Sequence, residues 1–308
     1  MLNSDCSVPP ILCADDFGIS PGVGSGIEAL AEANRISATT AIVTLPTWGR
    51  EGGRLSALRA RIAIGLHVNL TLGAPLGPAP DLAPSGMLPS LKALVARCLF
   101  GRAPNASEVA LEVGRQIDRF ADVVGYLPDF IDGHQHVHVL PGIRGGFLRA
   151  LVSRISDHRP LVRDPGDRIG AIAARGCAVS KALSVAALGY GFGAALRRAG
   201  FPANSGFSGF SSFDARISYA DELERSFRFA GPRHLIMCHP GYVDAELIRL
   251  DPVVTRRREE LRCLLSAPHL DTRIWHMGPR CEHRLQSWTA GGRLPDTGYP
   301  TGSAQLKC

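Results

Sequence analysis

Lysine is almost missing from this chain. Among 308 residues it occurs only at Lys92, Lys181 and Lys307, so nearly all of the 34 basic side chains are arginine. Against 28 acidic residues they leave a formal net charge of +6, a balance that would suit nucleic acid. Aromatics make up only 6% of the chain and the arginines are scattered, so the interleaved surface on which bases stack is missing too. No nucleic-acid partner is expected. The arginine bias reads as codon composition, with a modest attraction for anionic surfaces.

Cysteine motifs are equally scarce. The eight cysteines (Cys6, Cys13, Cys98, Cys177, Cys238, Cys263, Cys281 and Cys308) form no CxxC and no short regular spacing. That excludes a zinc ribbon and a disulfide framework and fits a reducing compartment. Residues 1–6 lack the basic flank and apolar run of a signal peptide, so a cytoplasmic location is expected. The longest weakly polar run, 182–196, is too short to span a bilayer and is interrupted by Gly189, Gly191 and Gly193. It reads as a buried or interfacial helix, and Arg197-Arg198 after it would suit peripheral contact with lipid headgroups. Assembly into a homo-oligomer stays open.

What is present is an alternation of apolar runs with segments of helical period, the pattern of an α/β fold with mainly parallel strands. Strands are expected at 11–14, 39–44, 62–70, 129–132, 161–163, 204–207, 234–238 and 272–275. Ser20-Pro21 supplies a cap and first turn for a helix with an apolar stripe of Val23, Ile27, Leu30 and Ala31. Further helices are expected over 54–61, 91–99, 108–124, 221–229 and 255–265, and the Pro- and Gly-rich stretch 71–89 reads as a substrate-facing lid. About seven βα units favour a barrel over a doubly wound open sheet. Residues 1–285 are expected to form a single domain, and the turn-rich tail 286–308 to be disordered.

The stretch from Asp132 to His138 carries imidazoles at His134, His136 and His138. If the strand continued through them, all three would share one face. Neutral imidazole is the commonest transition-metal ligand, but a closed shell draws on separated segments, so not all three are expected to bind one ion. Other polar residues collect at strand carboxyl ends, where such folds keep their active groups: Asp15-Asp16, His67, Asp132 and His239. Adjacent carboxylates on a strand end diverge, so one can hold metal while the other accepts a proton. A turn with a helix cap would explain either Asp alone.

Taken in order, Ala14-Asp15-Asp16-Phe17-Gly18, Gly65-Leu66-His67-Val68-Asn69-Leu70-Thr71, Asp132-Gly133-His134-Gln135-His136-Val137-His138 and Met237-Cys238-His239-Pro240-Gly241 resemble the YdjC-like carbohydrate deacetylase family. The resemblance runs from about residue 10 to 270. It implies a distorted TIM-like (β/α) barrel and a divalent-metal hydrolase that removes acetyl groups from N-acetylated sugars. Carried over motif by motif, it implies Asp16, His67 and His134 as metal ligands and Asp15 as general base. His239 would be an acid or substrate-orienting group. Asp132, His136, His138 and Arg163 would support the ligands or touch substrate. Mg2+ and Zn2+ both suit so mixed a donor set.

Two departures bear on substrate. Gln135 stands where chitooligosaccharide-type relatives tend to carry another His, and 167–213 is long and apolar, with Gly-Phe repeats at 206–210. A glycolipid or lipid-linked acetamido sugar therefore stands beside a soluble oligosaccharide as the expected partner. Other readings are a non-catalytic metal-dependent sugar-binding protein, an Fe(II) oxygenase with a facial triad, and an amidohydrolase-like enzyme using His134-x-His136. A spare base beside the ligands separates catalysis from mere binding.

Overall fold

The structure is a computed structural model and describes residues 8–156, 159–214, 216–251, 254–277, 285 and 288. The order of elements is β1 (Ile11–Phe17), α1 (Pro21–Glu32), β2 (Ala38–Ala41), α2 (Trp48–Ala57), β3 (Ala63–Val68), α3 (Leu91–Leu99) and α4 (Ala106–Val124). Then come β4 (Phe130–Gly133), α5 (Arg144–Arg154), β5 (Leu161–Val162), α6 (Ile169–Arg175), α7 (Val179–Leu188) and α8 (Phe192–Arg198). β6 (Gly206–Ser208), α9 (Tyr219–Phe227), β7 (His234–Cys238), α10 (Ala245–Leu250), α11 (Thr255–Ser266) and α12 (Leu270–Arg273) complete it.

All seven strands join one parallel sheet in the order β5-β4-β3-β2-β1-β7-β6. Read as a ring, that is the chain order opened between β5 and β6. Four strand spacings part β1 from β5, about 19 Å in a flat sheet, yet Arg163 after β5 bonds Asp15 of β1 at 2.6 and 2.7 Å. Only a sheet curled towards closure permits this, so the fold is the expected α/β, distorted barrel. The open seam is stitched where the Val162 N–H donates to the Pro202 carbonyl at 2.8 Å. Beside it the Asn204 amide takes the Asp164 N–H and returns a hydrogen bond to the Asp164 carbonyl, both 2.8 Å.

Strand alternation splits the core in two. Leu12, Ala14, Ile64, Leu66, Ile131, Val162 and Ile236 pack outward beneath the helices. Ile11, Cys13, Ala38, Ala63, Phe130, Leu161, Leu235 and Met237 face the concave side. Continuing the concave rows, by four residues on β3 and by two on the other strands, reaches Asp15, Thr40, His67, Asp132, Arg163 and His239. The period that builds the apolar floor therefore carries the polar side chains onto its upper edge.

Ser20 caps α1 as expected, its hydroxyl accepting the Val23 N–H with Pro21 in the first turn. Several expectations are corrected. Strand β4 ends at Gly133, and 134–139 form tight 3-10 turns with positive φ at Gln135 (54°) and His136 (59°). His134, His136 and His138 consequently do not share a strand face. Residues 272–275 form no strand. Leu270–Arg273 is helical, and Trp275 closes the barrel floor with its N–H on the Pro10 carbonyl. The helix expected at 54–61 begins at Trp48 and gives way to a 3-10 turn at Leu58. Gly52, which obscured its period, sits where a Cβ would lie 2.2 Å from Val123 of α4.

Loop 71–89 is irregular, and among the described lining of the large cavity at the strand ends none of its residues occurs. Glu112 accepts the Leu76 N–H, and Glu108 those of Asp81 and Leu82, which fasten the loop to α4. The run 182–196 breaks between α7 and α8. Among the described residues no single helix is long and apolar enough to cross a membrane, and this pair passes that test only together, bent by 40°. The expected boundary at 286 lies mostly outside the described residues, although Trp288 is buried and donates to the Pro9 carbonyl.

Candidate active site

At the carboxyl ends of the strands lies a cavity of about 460 Å³. Asp15, Asp16, His67, His134, His136 and His239 line it, together with Lys181, Phe213, Asp251 and Arg257.

Asp15 and Asp16 both reach the cavity because β1 departs from regular pairing there. The register with β2 shifts between Ala14 and Phe17, and Asp16 takes φ 72°. In an unbroken strand these neighbours would face opposite ways. The bulge turns both inward, a re-aiming for which such irregularities are used next to active sites.

Asp16 is the hub. Its Oδ1 lies 2.9 Å from His134 Nδ1 and 3.3 Å from His67 Nε2, and its Oδ2 accepts from Arg257 at 2.5 Å. Arg257 in turn meets Asp251 at 2.6 Å. On its other nitrogen, His67 donates to Asp132 Oδ1 at 2.5 Å. This neighbour relation follows from the β3–β4 register, which sets His67 beside Asp132. Asp132 also pairs with Arg163 at 2.8 Å, and Arg163 forks onto both oxygens of Asp15. A buried line of alternating charge thus runs Asp15, Arg163, Asp132, His67, Asp16, Arg257, Asp251.

The line sets protonation states. Burial would raise the Asp15 carboxyl, but the Arg163 guanidinium holds it well below the usual carboxylate range. Burial opposes Asp16 likewise, and Arg257 and His134 keep it low. Burial would lower the His67 imidazole, yet Asp132 beside it, with Asp16 and Asp15, raises it to about 10. For His239 burial prevails and pushes the pKa down to about 4.

Two expected helpers go different ways. His138 is buried and donates from Nε2 to the Arg163 carbonyl at 2.8 Å, its ring packed on Phe147 and Phe192. It props the arginine's backbone and does not line the cavity. His136 lines the cavity, wedged edge-on against Phe207 and Phe210 with Nδ1 buried and unpartnered.

Sequence reasoning missed Arg257, Thr40, Glu260, Lys181 and Phe213. Thr40 bridges Asp15 and His67 at 3.3 and 3.1 Å. Arg257 stands in a run of three arginines that reads as a solvated face. Its spacing of three, four and seven residues from Glu260, Leu261 and Leu264, all buried, is the signal that places it inward.

Glu260 accepts the His239 N–H at 2.5 Å, and burial lifts its pKa from 4.5 to about 8. A carboxyl raised on folding holds its proton while the unfolded chain releases one, so it weakens the fold as pH climbs from 4.5 to 8. Glu260→Gln is therefore expected to match wild type in melting temperature at about pH 4 and below. By pH 8 it should be the more stable protein, the gap growing by up to about 1.4 kcal/mol per pH unit. A gap independent of pH would show that Glu260 is ionised throughout.

The donor set fits a divalent cation. Ligand atoms of Asp16, His67 and His134 lie within 4.8 Å of one another, one carboxylate oxygen and two imidazole nitrogens in a buried, anion-rich pocket. A second group, Asp15, His67 and Asp132, meets the same distance, but the fork of Arg163 occupies two of its members.

A model of the family described as YdjC-like protein matches residues 11–272. A carbohydrate deacetylase of Mus musculus is 36% identical over 146 residues, 46% of each chain. A chitooligosaccharide deacetylase of Enterobacter sp. (strain 638) is 38% identical over 133 residues, 43% of this chain and 51% of that one. The chain spans about half the length of the curated relatives it matches. A crystal structure from Enterococcus faecalis V583, described as a cellobiose-phosphate cleavage protein, shares the fold. Its TM-score is 0.63 at 22% identity, over 85% of this chain and 92% of that one.

Proposed function

The chain belongs to the YdjC-like protein family, and we propose that it is a metal-dependent hydrolase that removes the acetyl group from an N-acetylated amino sugar. The observation that carries this reading is Asp15, an ionised carboxylate buried beside the Asp16, His67 and His134 group and no member of it. A sugar-binding protein has no use for such a base. The relatives' names, carbohydrate and chitooligosaccharide deacetylase, point the same way.

Asp16, His67 and His134 would hold the ion, which when bound supplies Lewis-acid polarisation of the acetamide carbonyl. Asp15 accepts a proton from the attacking water. Arg163 keeps it ionised and fixes its plane, because a forked guanidinium leaves a carboxylate no rotation. His239 enters neutral at pH 7, since burial holds it near 4. Its part is then to pass a proton on to the departing nitrogen rather than to bring one. The carbon–nitrogen bond breaks to give acetate and a free amino sugar.

Helix α7 supports a soluble oligosaccharide over a lipid-linked one. Its Leu183, Val185 and Ala186 turn towards the concave core, and Ser180 and Ala187, outside the cavity lining, are left exposed. That face is too small and polar to enter lipid.

The test is acetate release from soluble and lipid-linked N-acetylated sugars, using protein stripped by chelator and resupplied with Zn2+, Mg2+, Mn2+ or Co2+. Activity should return with metal and stay absent in Asp16→Ala. Silence with every sugar and every metal would end this reading. Equal turnover of both substrate types would remove the preference for soluble ones.

A further inference from the structure

Strain in the backbone is unevenly placed. Among the described residues, nine other than glycine have positive φ, and Asp16, Gln135, His136 and Phe213 of these nine line the one cavity. For Asp16 the bulge explains it, and for Gln135 and His136 the tight turns after β4. Phe213, at φ 56°, has no such account, and for a bulky side chain the left-handed region is a genuine outlier.

The loop around it is fastened on both sides. Gly209 at φ 96° lets the chain leave β6 so close to β7 that a Cβ there would lie 2.0 Å from the Met237 carbonyl. Glu222 of α9 then accepts the Ser211 hydroxyl at 2.6 Å and the Ser212 N–H at 3.2 Å, and the Phe213 N–H donates to Ser211 Oγ at 3.0 Å. Past Phe213, Arg256 of α11 holds the Asp214 and Ile217 carbonyls at 2.6 and 3.0 Å. A buried carboxylate and a buried guanidinium thus keep a half-buried ring in a conformation its own backbone disfavours.

Among the described residues that ring is the one Phe, Tyr or Trp side chain lining the cavity. The ring stands steeply to the His239 imidazole, 6.4 Å between centroids, and the Lys181 ammonium lies over one face of it, 4.3 Å from its centre. The rest of the described lining is one glycine, polar and charged side chains, and the apolar Leu91, Val185 and Met237. A pyranose presents axial C–H groups on one face and hydroxyls at its rim. It needs a flat apolar surface with polar groups nearby, and Phe213 offers its ring, one side of which carries the Lys181 ammonium, in a cavity that Ser184 and His136 also line.

We infer that Phe213 is the platform on which the sugar ring of the substrate seats, presented by a loop that Glu222 and Arg256 hold in place. The inference rests on the deacetylase reading for its ligand class and adds the residue that selects a ring. Phe213 touches the sugar and not the acetamide, so it contributes equally to ground and transition states. Its loss should appear in KM and not in kcat.

The experiment uses the metal-loaded full chain with N,N'-diacetylchitobiose, and compares wild type with Phe213→Gly, Phe213→Leu and Phe213→Tyr. Acetate release, calorimetric sugar binding and thermal melting are read together. Phe213→Gly should melt within a few degrees of wild type, because glycine removes the φ penalty as it removes packing. Its KM should rise by about tenfold or more with kcat within about threefold. Phe213→Tyr should restore KM, and Phe213→Leu, apolar but not flat, should not.

An unchanged KM and sugar affinity in Phe213→Gly would overturn the inference, and so would full rescue by Leu. A Phe213→Gly protein that melts far below wild type while keeping its sugar affinity would mark the ring as a structural prop, with the same consequence. Wild type that binds the disaccharide without releasing acetate would end the deacetylase reading alone, and the dissociation constants would still decide the role of Phe213. Wild type that neither binds nor cleaves overturns both.

Discussion

Asp15→Asn is expected to lower acetate release by about a thousandfold, within the range a positioned general base supplies, while metal uptake stays within about threefold of wild type. Asparagine keeps the shape of the side chain and still accepts from Thr40 and Arg163 through its one carbonyl oxygen. What goes is the second lone-pair face and the charge that takes the proton. Metal uptake is the informative partner measurement, because Asp15 lies outside the Asp16, His67 and His134 group. If the variant lost its metal together with its activity, the ion would belong to the competing group of Asp15, His67 and Asp132. If it kept full activity, the base would lie elsewhere.

Arg163→Met should have the largest effect on folding. The guanidinium is fully buried and forms the fork on Asp15 and the ion pair with Asp132, both carboxylates also buried. Removing it leaves two anions without a partner in a low-dielectric interior. Breaking one buried pair typically costs about 3–5 kcal/mol, so a loss at or beyond the top of that range is expected in urea unfolding. The deficit should shrink as pH falls and the orphaned carboxylates take up protons. Arg163→Lys should recover only part of it, because an ammonium cannot span two carboxylates as a planar fork does. A methionine variant within about 1 kcal/mol of wild type would mean that the two aspartates are already compensated by other groups.

Much of the fold was legible because it rests on local rules. Apolar runs marked all seven strands, with an eighth expected at 272–275 that is not one, and the Ser20-Pro21 start of α1 followed from capping chemistry. The polar residues at strand ends were legible for the same reason: Asp15, His67 and Asp132 interrupt apolar periods at the position where the strand runs out. The structure does bring Asp16, His67 and His134 together, although periodicity could not have turned Asp16 inward. Alternation sends it outward, and only the register shift beside β2 reverses that.

The failures share a cause. His136 and His138 fit a strand by pattern, and nothing in an alternating sequence announces that the chain turns to positive φ at Gln135. Residues 272–275 carry a true signal of burial, but Trp275 is buried as a plug beneath the barrel and not as part of a ladder. Arg257 lies over two hundred residues from Asp16, which it supports, and Glu260 twenty-one from His239, and a cluster of arginines on a helix reads as solvated until its partners are known. Phe213 left no mark at all, since its importance is a dihedral angle held by residues on two other helices.

The stitch at the barrel's open edge has a mechanical consequence. Between β5 and β6 the strands share little ladder, and the amide of Asn204, reaching to both backbone groups of Asp164, does the work of missing rungs. One small side chain with no chemistry of its own therefore sets the circumference of the ring. Through that circumference it sets how far Arg163 stands from Asp15. The spacing of the charged line is in that sense a tailoring problem, and the tightness of the whole garment is decided where Asn204 and the Val162–Pro202 hydrogen bond button the seam.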